Sequence, residues 1–179
     1  MPQTEYFYEL AYCLLTPQSS AVSAGQVVER LRDACFLEAG GDPTPLLRAK
    51  EHYIRFHNTK ARRLQEARVL LPDILHVLRR TEPAPAARAW LVANVKGLGW
   101  KEASHFLRNI GRCNLAILDR HILRNLERHG VIRAIPASLT PSRYLNIEAR
   151  FARFADRLGI PMDELDLLFW SRETGEILK

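Results

Sequence analysis

The sequence lacks the patterns that define several classes of protein. No stretch of 18 consecutive apolar residues occurs, so we expect no membrane-spanning helix. The cysteines, at positions 13, 35 and 113, form no CxxC pair and no disulfide framework, and we expect mostly buried thiols. The histidines show no HExxH or other zinc spacing. These absences exclude a disulfide-rich miniprotein and give no support to a zinc enzyme.

The composition of the chain indicates which class of molecule it binds. With 179 residues, 47% hydrophobic and 26% charged, the chain suits one compact domain or two small lobes that share a core. Lys and Arg number 26 against 20 Asp and Glu, and the net charge of +6 favours a polyanionic partner. An anionic membrane is the weaker alternative, because no basic amphipathic helix with exposed aromatic residues is found. The N-terminal segment lacks the basic region of a secretory signal, so a cytoplasmic location is predicted.

Helical spacing of apolar residues dominates, and no pair of alternating strands stands out. The pattern predicts an all-α fold of many short helices. A Ser23–Gln26 capping box is expected to begin the second helix, and 81–88, TEPAPAAR, is the best candidate for an interior linker. A basic helix with mostly solvated Lys60 is expected over 59–71. The remaining expected helices cover 5–16, the segment up to 95, 100–110, 119–128, 141–158 and the segment from 161 that stops before Thr174.

The informative stretch is VKGLGWKEASHFLRNIGRCNLAILDRHIL, residues 95–123. Gly97-Leu98-Gly99 stands between two expected helices and permits a hairpin whose backbone closely approaches another molecule. The free N–H groups and the positive dipole end of the next helix make an anion site, suited to a DNA phosphate. A dinucleotide site is excluded, because no strand precedes the glycines and no third glycine follows at the required spacing.

Two charged residues carry the candidate chemistry. Lys101 lies in the first turn after the hairpin, and it is either a surface lysine that contacts phosphate or a nucleophile. Desolvation and the helix dipole both favour the neutral amine, which can attack a sugar carbon. Asp119 follows 18 residues later at the expected N-cap of a helix. It is at least a capping residue, and it could also stabilise positive charge on a sugar ring.

A helix, a GxG hairpin, a helix with an early lysine and an aspartate about 18 residues later resemble the helix-hairpin-helix DNA glycosylases. Within that superfamily, KEASHFLRNIG followed by LAILDRHIL is similar to the type 2 8-oxoguanine DNA glycosylase/lyases. The resemblance is densest over 95–125 and continues through 167–179. It implies a two-lobed helical fold with DNA in the cleft between the lobes. About 1–20 with 140–179 would form one lobe, and about 21–139, with the hairpin at 95–110, the other.

The resemblance implies roles for individual residues. Lys101 matches the lysine that forms a Schiff base, and Asp119 the essential aspartate. Gly97 and Gly99 match the hairpin glycines, which in many relatives also hold a monovalent cation; the sequence leaves that point open. His105, one turn beyond Lys101, would pack on one face of the flipped base. The alternative for His105 is a core histidine.

The C-terminal segment matches a second part of the lesion pocket. Trp170 would stack on the other face of the base, although an aromatic residue at a helix end is equally often part of the core. The family ends in a lysine that reads the lesion, which here would be Lys179. A terminal carboxylate can accept from the N1–H and the exocyclic amine of a guanine-type base.

Further DNA contacts are expected from the basic residues and from two loops. Arg108 and Arg120 are candidates for phosphate contacts. Pro17 and Gln18 follow the first helix, in a loop that borders the lesion pocket in the family. Phe56 belongs to a second loop that could fill the gap left by the flipped base, although core packing of Phe56 is the favoured alternative.

The sequence departs from some relatives. Enzymes that cleave thymine glycol carry four cysteines near the C-terminus for an iron–sulfur cluster, whereas the last cysteine here is Cys113. Helical signals begin at residue 5, so no N-terminal β-domain is expected. The missing cysteines predict that no iron–sulfur cofactor is bound. The resemblance implies an enzyme that acts on double-stranded DNA containing oxidised guanine, and we expect it to be a monomer.

Two alternatives remain at this stage. A non-catalytic helix-hairpin-helix module would explain the charge and the glycines, but not Lys101 with Asp119. A glycosylase for another damaged base is the other alternative. The sequence does not report the preferred base opposite the lesion, the relative glycosylase and lyase rates, or thermostability.

Overall fold

Helices account for most of the chain. The computed structural model describes residues 2–80 and 83–175, with the backbone alone for Thr174. Within these ranges no residue lies in a β-strand, so the predicted all-α class is confirmed. Every helix there is too short or too polar to span a bilayer. A 3₁₀ turn covers Lys50–His52. The α-helices are α1 (Gln3–Leu15), α2 (Ala21–Asp33), α3 (Phe36–Ala39), α4 (Thr44–Leu47), α5 (His57–Arg79), α6 (Ala84–Asn94), α7 (Trp100–Asn109), α8 (Arg120–Arg128), α9 (Pro141–Leu158) and α10 (Met162–Thr174).

Local capping explains several helix ends. Asp119 precedes α8, and its Oδ1 accepts a hydrogen bond from the backbone N–H of Ile122 at 2.8 Å. Thr140 caps α9 through the N–H of Arg143. Gly159 ends α9 with a φ of 67°, which glycine adopts without steric penalty. These caps confirm the predictions made at all three positions.

Ser20, rather than Ser23, caps α2. Its Oγ accepts a hydrogen bond from the N–H of Ser23 at 3.0 Å, and the helix begins at Ala21. The predicted Ser23–Gln26 capping box is therefore wrong. Ser23 lies inside the first turn, because Ser20 already supplies the acceptor that the free N–H groups need.

α5 runs well past its predicted end at Leu71, although Pro72 lies inside it. An interior proline removes a backbone hydrogen bond and costs roughly 3 kcal/mol. Ile74, Leu75 and Leu78, beyond the proline, are each at most 6% exposed. Burial of each such side chain contributes about 1.5–3 kcal/mol, which offsets the cost of Pro72.

The predicted linker over 81–88 is wrong for most of its length. Residues 81 and 82 lie outside the described ranges, but α6 begins at Ala84. Pro85 lies in the first helical turn, where its missing N–H costs no intrahelical bond. Arg88 is fully buried. The prolines therefore begin a helix here instead of preventing one.

The chain divides into two compact units, residues 1–106 and 107–179, and the boundary falls inside α7. In the first unit, α1 packs against α2 and α5, and α5 also contacts α4 and α6. In the second unit, α10 packs against α8 and α9. The predicted lobes, 1–20 with 140–179 and 21–139, follow different boundaries, and that division stays a prediction.

Two of the three thiols that we predicted to be buried are exposed. Cys13 is fully buried, but Cys35 and Cys113 are exposed, so the expectation of buried thiols is wrong for two of the three cysteines. Cys35 has a φ of 49° in the turn between α2 and α3, which directs it away from the buried face of α2.

Candidate active site

The hairpin between α6 and α7 requires its first glycine. Gly97 has a φ of 98°, and a Cβ at this position would lie 2.6 Å from Cδ of Arg63. Leu98 is only 5% exposed, and its N–H donates to the carbonyl of Val95 at 3.1 Å. The turn is thus anchored by a buried leucine, and the Arg63 side chain packs against Gly97. The anion site at this hairpin stays a prediction.

Lys101 lies in the first turn of α7, directly after the hairpin. The carbonyl of Gly99 accepts the N–H of Ala103 at 2.9 Å, which places Gly99 at the N-cap. The Lys101 side chain is 37% exposed, and its Nζ lies 3.2 Å from Oε1 of Glu102. The Glu102 carboxylate, 16% exposed, complements the positive end of the helix. The turn therefore combines an accessible amine with an adjacent carboxylate.

A buried arginine fixes the orientation of α7. Arg88 is 0% exposed, and its guanidinium lies 4.9 Å from the ring centroid of Trp100. Its Nη1 donates to Oγ of Ser104 at 3.0 Å. Trp100 and Ser104 are one helical turn apart on either side of Lys101. The two contacts resist rotation of the helix that carries the lysine.

Asp119 is held by a buried extended segment of the second unit. Residues 115–118 are each at most 7% exposed. The N–H of Ala116 donates to Oε2 of Glu148 at 2.8 Å, and the Tyr144 hydroxyl donates to the Ala116 carbonyl at 2.6 Å. These bonds fix the backbone that leads into Asp119. The carboxylate then caps α8, as predicted.

Arg108 and Asp166 form an ion pair in the second unit. Nη1 of Arg108 lies 2.8 Å from Oδ1 of Asp166, and the side chains are 19% and 4% exposed. Oδ2 of Asp166 accepts the N–H of Ile117 at 3.2 Å. Burial raises the pKa of Asp166 to about 6, although Arg108 opposes the shift. The phosphate contacts of Arg108 and of Arg120, which is exposed at the start of α8, stay predictions.

His105 meets an aromatic residue of α1. Its ring lies edge to face with that of Tyr12, with 5.8 Å between the centroids. Both side chains are half-buried, and burial raises the pKa of Tyr12. His105 is one turn beyond Lys101 on the same helix, as expected. Its role against a flipped base stays a prediction.

The loop after α1 rests on a buried lysine. Gln18 is exposed with a φ of 58°, and the carbonyl of Pro17 accepts a hydrogen bond from Nζ of Lys60 at 2.6 Å. Lys60 is 2% exposed, so the predicted solvation of this side chain is wrong. Burial lowers the pKa of Lys60 to about 8, and the positive charge of Arg63 contributes. The substrate contacts of Pro17 and Gln18 stay predictions.

Phe56 is not a core residue. Its side chain is 52% exposed, and its φ is 60° at the N-cap of α5. The Arg55 guanidinium lies 5.1 Å from the centroid of its ring. The favoured interpretation of core packing is therefore wrong. The exposed ring stays a candidate for the gap in the DNA stack.

The C-terminal candidates are only partly described. Trp170 lies on α10 and is half-buried, so its stacking role stays a prediction. Lys179 lies outside the described residues. Within residues 2–80 and 83–175, no group of three His, Cys, Asp or Glu side chains is placed to hold a metal ion. The expectation of no cofactor stays a prediction, and whether the hairpin holds a monovalent cation stays open.

The structure adds three residues that the sequence analysis missed. Glu102 lies beside Lys101, and its position in the first turn after a GxG motif was a usable signal. Lys60 and Asp166 are buried charges with specific partners. Neither could be distinguished from the many surface charges around it, because their burial depends on residues far away along the chain.

Lys101, His105, Pro17, Gln18 and Phe56 belong to the first unit. Gly97 and Gly99 lie in the first unit as well, and the second unit contains Asp119, Arg108, Arg120 and Trp170. Each unit thus carries one of the two predicted catalytic residues.

Comparison with known proteins identifies the family. The family model described as 8-oxoguanine DNA glycosylase matches residues 1–160. The 8-oxoguanine DNA glycosylase/AP lyase of Fusobacterium nucleatum is 42% identical, over 96% of this chain and 81% of the relative. The enzyme of the same name from Korarchaeum cryptofilum is also 42% identical, over 98% of this chain and 83% of the relative.

Solved structures agree with the sequence relatives. The Methanocaldococcus jannaschii 8-oxoguanine glycosylase/lyase, in complex with a 15mer DNA containing 8-oxoguanine, matches with a TM-score of 0.88 and 34% identity. The match covers 99% of this chain and 84% of that one. The 8-oxoguanine DNA glycosylase of Thermotoga maritima matches with a TM-score of 0.86, 35% identity and coverage of 99% and 83%. The chain therefore belongs to the 8-oxoguanine DNA glycosylase family.

Proposed function

We propose that this chain removes 8-oxoguanine from duplex DNA and then cleaves the strand at the resulting abasic site. The observation that carries the proposal is an accessible lysine amine in the first turn after a GxG hairpin, in a member of this family. The basic net charge suits a DNA substrate. A base inside the duplex is out of reach, so the nucleotide must first be flipped into a pocket.

Lys101 supplies the nucleophile. Its Nζ forms a bond to C1′ of the sugar as the glycosidic bond breaks, and the base leaves with the electron pair of that bond. The C1′–O4′ bond then opens and an imine joins Lys101 to the sugar, while the two N–H protons of the neutral amine pass to O4′ and to the departed base. The Arg88 contacts with Trp100 and Ser104 hold α7 in place while the amine reacts.

The imine allows the strand to be cut. It acidifies the C2′ proton, and loss of that proton expels the 3′ phosphate by β-elimination. Asp119 supplies a negative charge for the oxocarbenium-like sugar that forms as the base departs. Its position at the start of α8, fixed by the buried 115–118 segment, supports this role.

Lys60 is a second lysine that could be considered as the nucleophile, and the accessibility of the amine favours Lys101. The pKa of Lys60 is lowered to about 8, as a nucleophile would need. Its Nζ, however, is buried and engaged by two carbonyl oxygens and a hydroxyl. A sugar carbon cannot reach it, whereas the Lys101 side chain is 37% exposed.

Borohydride trapping tests the proposal. The protein is incubated with a duplex that contains one 8-oxoguanine, and borohydride reduces any imine to a stable covalent adduct. We expect an adduct with this duplex and with one that contains a preformed abasic site, and none with undamaged DNA. Duplexes with thymine glycol or an alkylated purine complete the lesion panel.

The panel also distinguishes the alternatives. DNA binding without an adduct on any duplex would indicate a non-catalytic module. Adducts on another lesion but not on 8-oxoguanine would indicate a different glycosylase. We also propose that the protein is a monomer, needs no cofactor and acts on the chromosome in the cytoplasm. Light scattering tests the oligomeric state.

A further inference from the structure

Two short loops of the first unit contain strained backbone. Gln18 and Phe56 both have positive φ values, 58° and 60°. A positive φ is sterically disfavoured for an L-residue other than glycine. Strain of this kind persists only where the surroundings enforce it, and it concentrates at functional sites. Both side chains are exposed, so core packing does not explain their conformations.

Lys60 connects these two loops. Its Nζ donates to the carbonyl of Leu15 at 2.7 Å, to that of Pro17 at 2.6 Å and to Oγ of Ser19 at 3.2 Å. Its backbone N–H donates to the carbonyl of Phe56 at 3.0 Å. One residue thus holds the end of α1, both sides of Gln18 and the strained N-cap of α5.

Ser19 completes the connection. Its Oγ accepts the backbone N–H of Arg55 at 3.1 Å in addition to the Lys60 ammonium. Its own N–H donates to the carbonyl of Thr16 at 3.0 Å, which closes the turn around Gln18. The turn is therefore fixed from inside the protein, while the Gln18 side chain faces solvent.

Stability alone does not account for a lysine at this position. Burial of an ammonium group costs several kcal/mol, and the three acceptors named above are uncharged. An apolar side chain of similar length would avoid this cost. The ammonium does what an apolar side chain cannot, because it binds three oxygens of one turn at the same time.

We propose that Lys60 is a positioning residue that fixes the Pro17–Gln18 turn for recognition of the flipped base. The inference rests on the proposed function, because it gives this turn, which the sequence analysis expects at the lesion pocket, a part in the excision of 8-oxoguanine. Lys60 does not touch the reacting atoms. It acts through the Pro17 carbonyl and Ser19, which set the direction of the Gln18 side chain.

Comparison of two reactions tests the inference. Lys60→Met keeps the length of the side chain and removes its hydrogen bonds. Excision of 8-oxoguanine requires the base pocket, whereas strand cleavage at a preformed abasic site has no base to recognise. We expect single-turnover excision to fall at least about 10-fold, the scale of a lost charged hydrogen bond. Cleavage at the abasic site should stay within about 3-fold of the wild type.

Lys50→Met is the matched control, because Lys50 is an exposed lysine of the same unit. It should leave both rates unchanged. Equal excision by Lys60→Met and the wild type would overturn the inference, as would a folded variant that loses both reactions by the same factor. If Lys60→Met does not fold, Ser19→Ala is used to test the inference. This variant removes one acceptor of the Lys60 ammonium without a change in charge.

Ser19→Ala should lower excision alone, and unchanged excision in this variant would overturn the inference. A different result would contradict the proposed function. In that case the wild-type protein itself would neither excise 8-oxoguanine nor be trapped on it.

Discussion

At the scale of single residues, Lys101 and Asp119 had recognisable local signals. A lysine in the first turn after a GxG motif and an aspartate at an N-cap are defined by neighbours in sequence. The structure confirms both positions. Their chemical roles can be separated by substitutions that preserve size and capping.

Lys101→Gln should abolish borohydride trapping and base release and leave DNA affinity largely intact. The amide retains the polarity of the side chain, but it cannot form an imine. Gel-based trapping and duplex-binding titrations measure the two properties. Lys50→Gln, which removes an exposed lysine away from the hairpin, should behave as the wild type. Normal strand cleavage by Lys101→Gln would remove Lys101 as the nucleophile.

Asp119→Asn should slow base release by at least roughly 10²-fold, the scale of one preorganised electrostatic contact. The fold should survive, because asparagine caps helices as well as aspartate does. Single-turnover kinetics and thermal unfolding test the two parts. Unchanged kinetics with an unchanged melting temperature would leave Asp119 with the capping role alone.

Other residues could not be found from local sequence. Lys60 stands in the basic segment HNTKARR, close to the exposed Arg62, and only the fold shows that Lys60 is buried. Asp166 is likewise one acid among several on α10. Burial of a charge depends on partners far away in sequence, here Pro17 for Lys60 and Arg108 for Asp166.

At the scale of elements, helix ends were predictable where a single side chain determines them. Thr140, Asp119 and Gly159 are examples. Prediction failed where tertiary packing outweighed local preference. α5 continues through Pro72 because its apolar face stays buried, and α6 begins at Ala84 inside the expected linker.

The hairpin gives a prediction at this scale. Gly97→Ala should destabilise the protein by about 1–2 kcal/mol, because alanine disfavours a φ of 98° and its Cβ would meet Arg63. Duplex affinity should fall as well, since the turn would shift. Urea unfolding and binding titrations provide the measurements.

Gly25→Ala is the matched control for the hairpin variant. Gly25 lies inside α2, and no atom is found within 4 Å of a Cβ added there. This variant should be more stable than the wild type by about 0.5–1 kcal/mol, with normal DNA affinity. A hairpin variant that matched this control in both properties would contradict the need for glycine at position 97.

At the scale of the whole molecule, the all-α class followed from helical spacing and from the absence of alternating strands. The boundaries of the two units did not, because they depend on which helices pack together. α1, for example, has its partners in α2 and α5. The sequence around α1 has no feature that predicts which helices pack against it.

The free energy of unfolding of the protein should depend on pH through the titration of Asp166. Its pKa is raised to about 6 in the folded protein from an ordinary value of 3.8. Between these values the folded state binds more protons than the unfolded state, so the free energy of unfolding should fall as the pH rises from about 4 to 6. The full change is on the order of 3 kcal/mol.

Asp166→Asn cannot titrate and should lack this step. Urea unfolding of both proteins at several pH values isolates the contribution of Asp166. Other titrating groups contribute equally to both proteins and cancel in the difference between their free energies of unfolding. The variant also loses the ion pair with Arg108, so the slope with pH, rather than absolute stability, is compared. Parallel curves for the two proteins would contradict the raised pKa.

The positions of the three cysteines have a practical consequence. Cys13 is buried, whereas Cys35 in the first unit and Cys113 in the second are exposed. Maleimide dyes should therefore label the native protein at one position in each unit, without any engineered mutation. Mass spectrometry of the labelled protein should find two dyes per chain in the native state and three after unfolding, when Cys13 also becomes accessible.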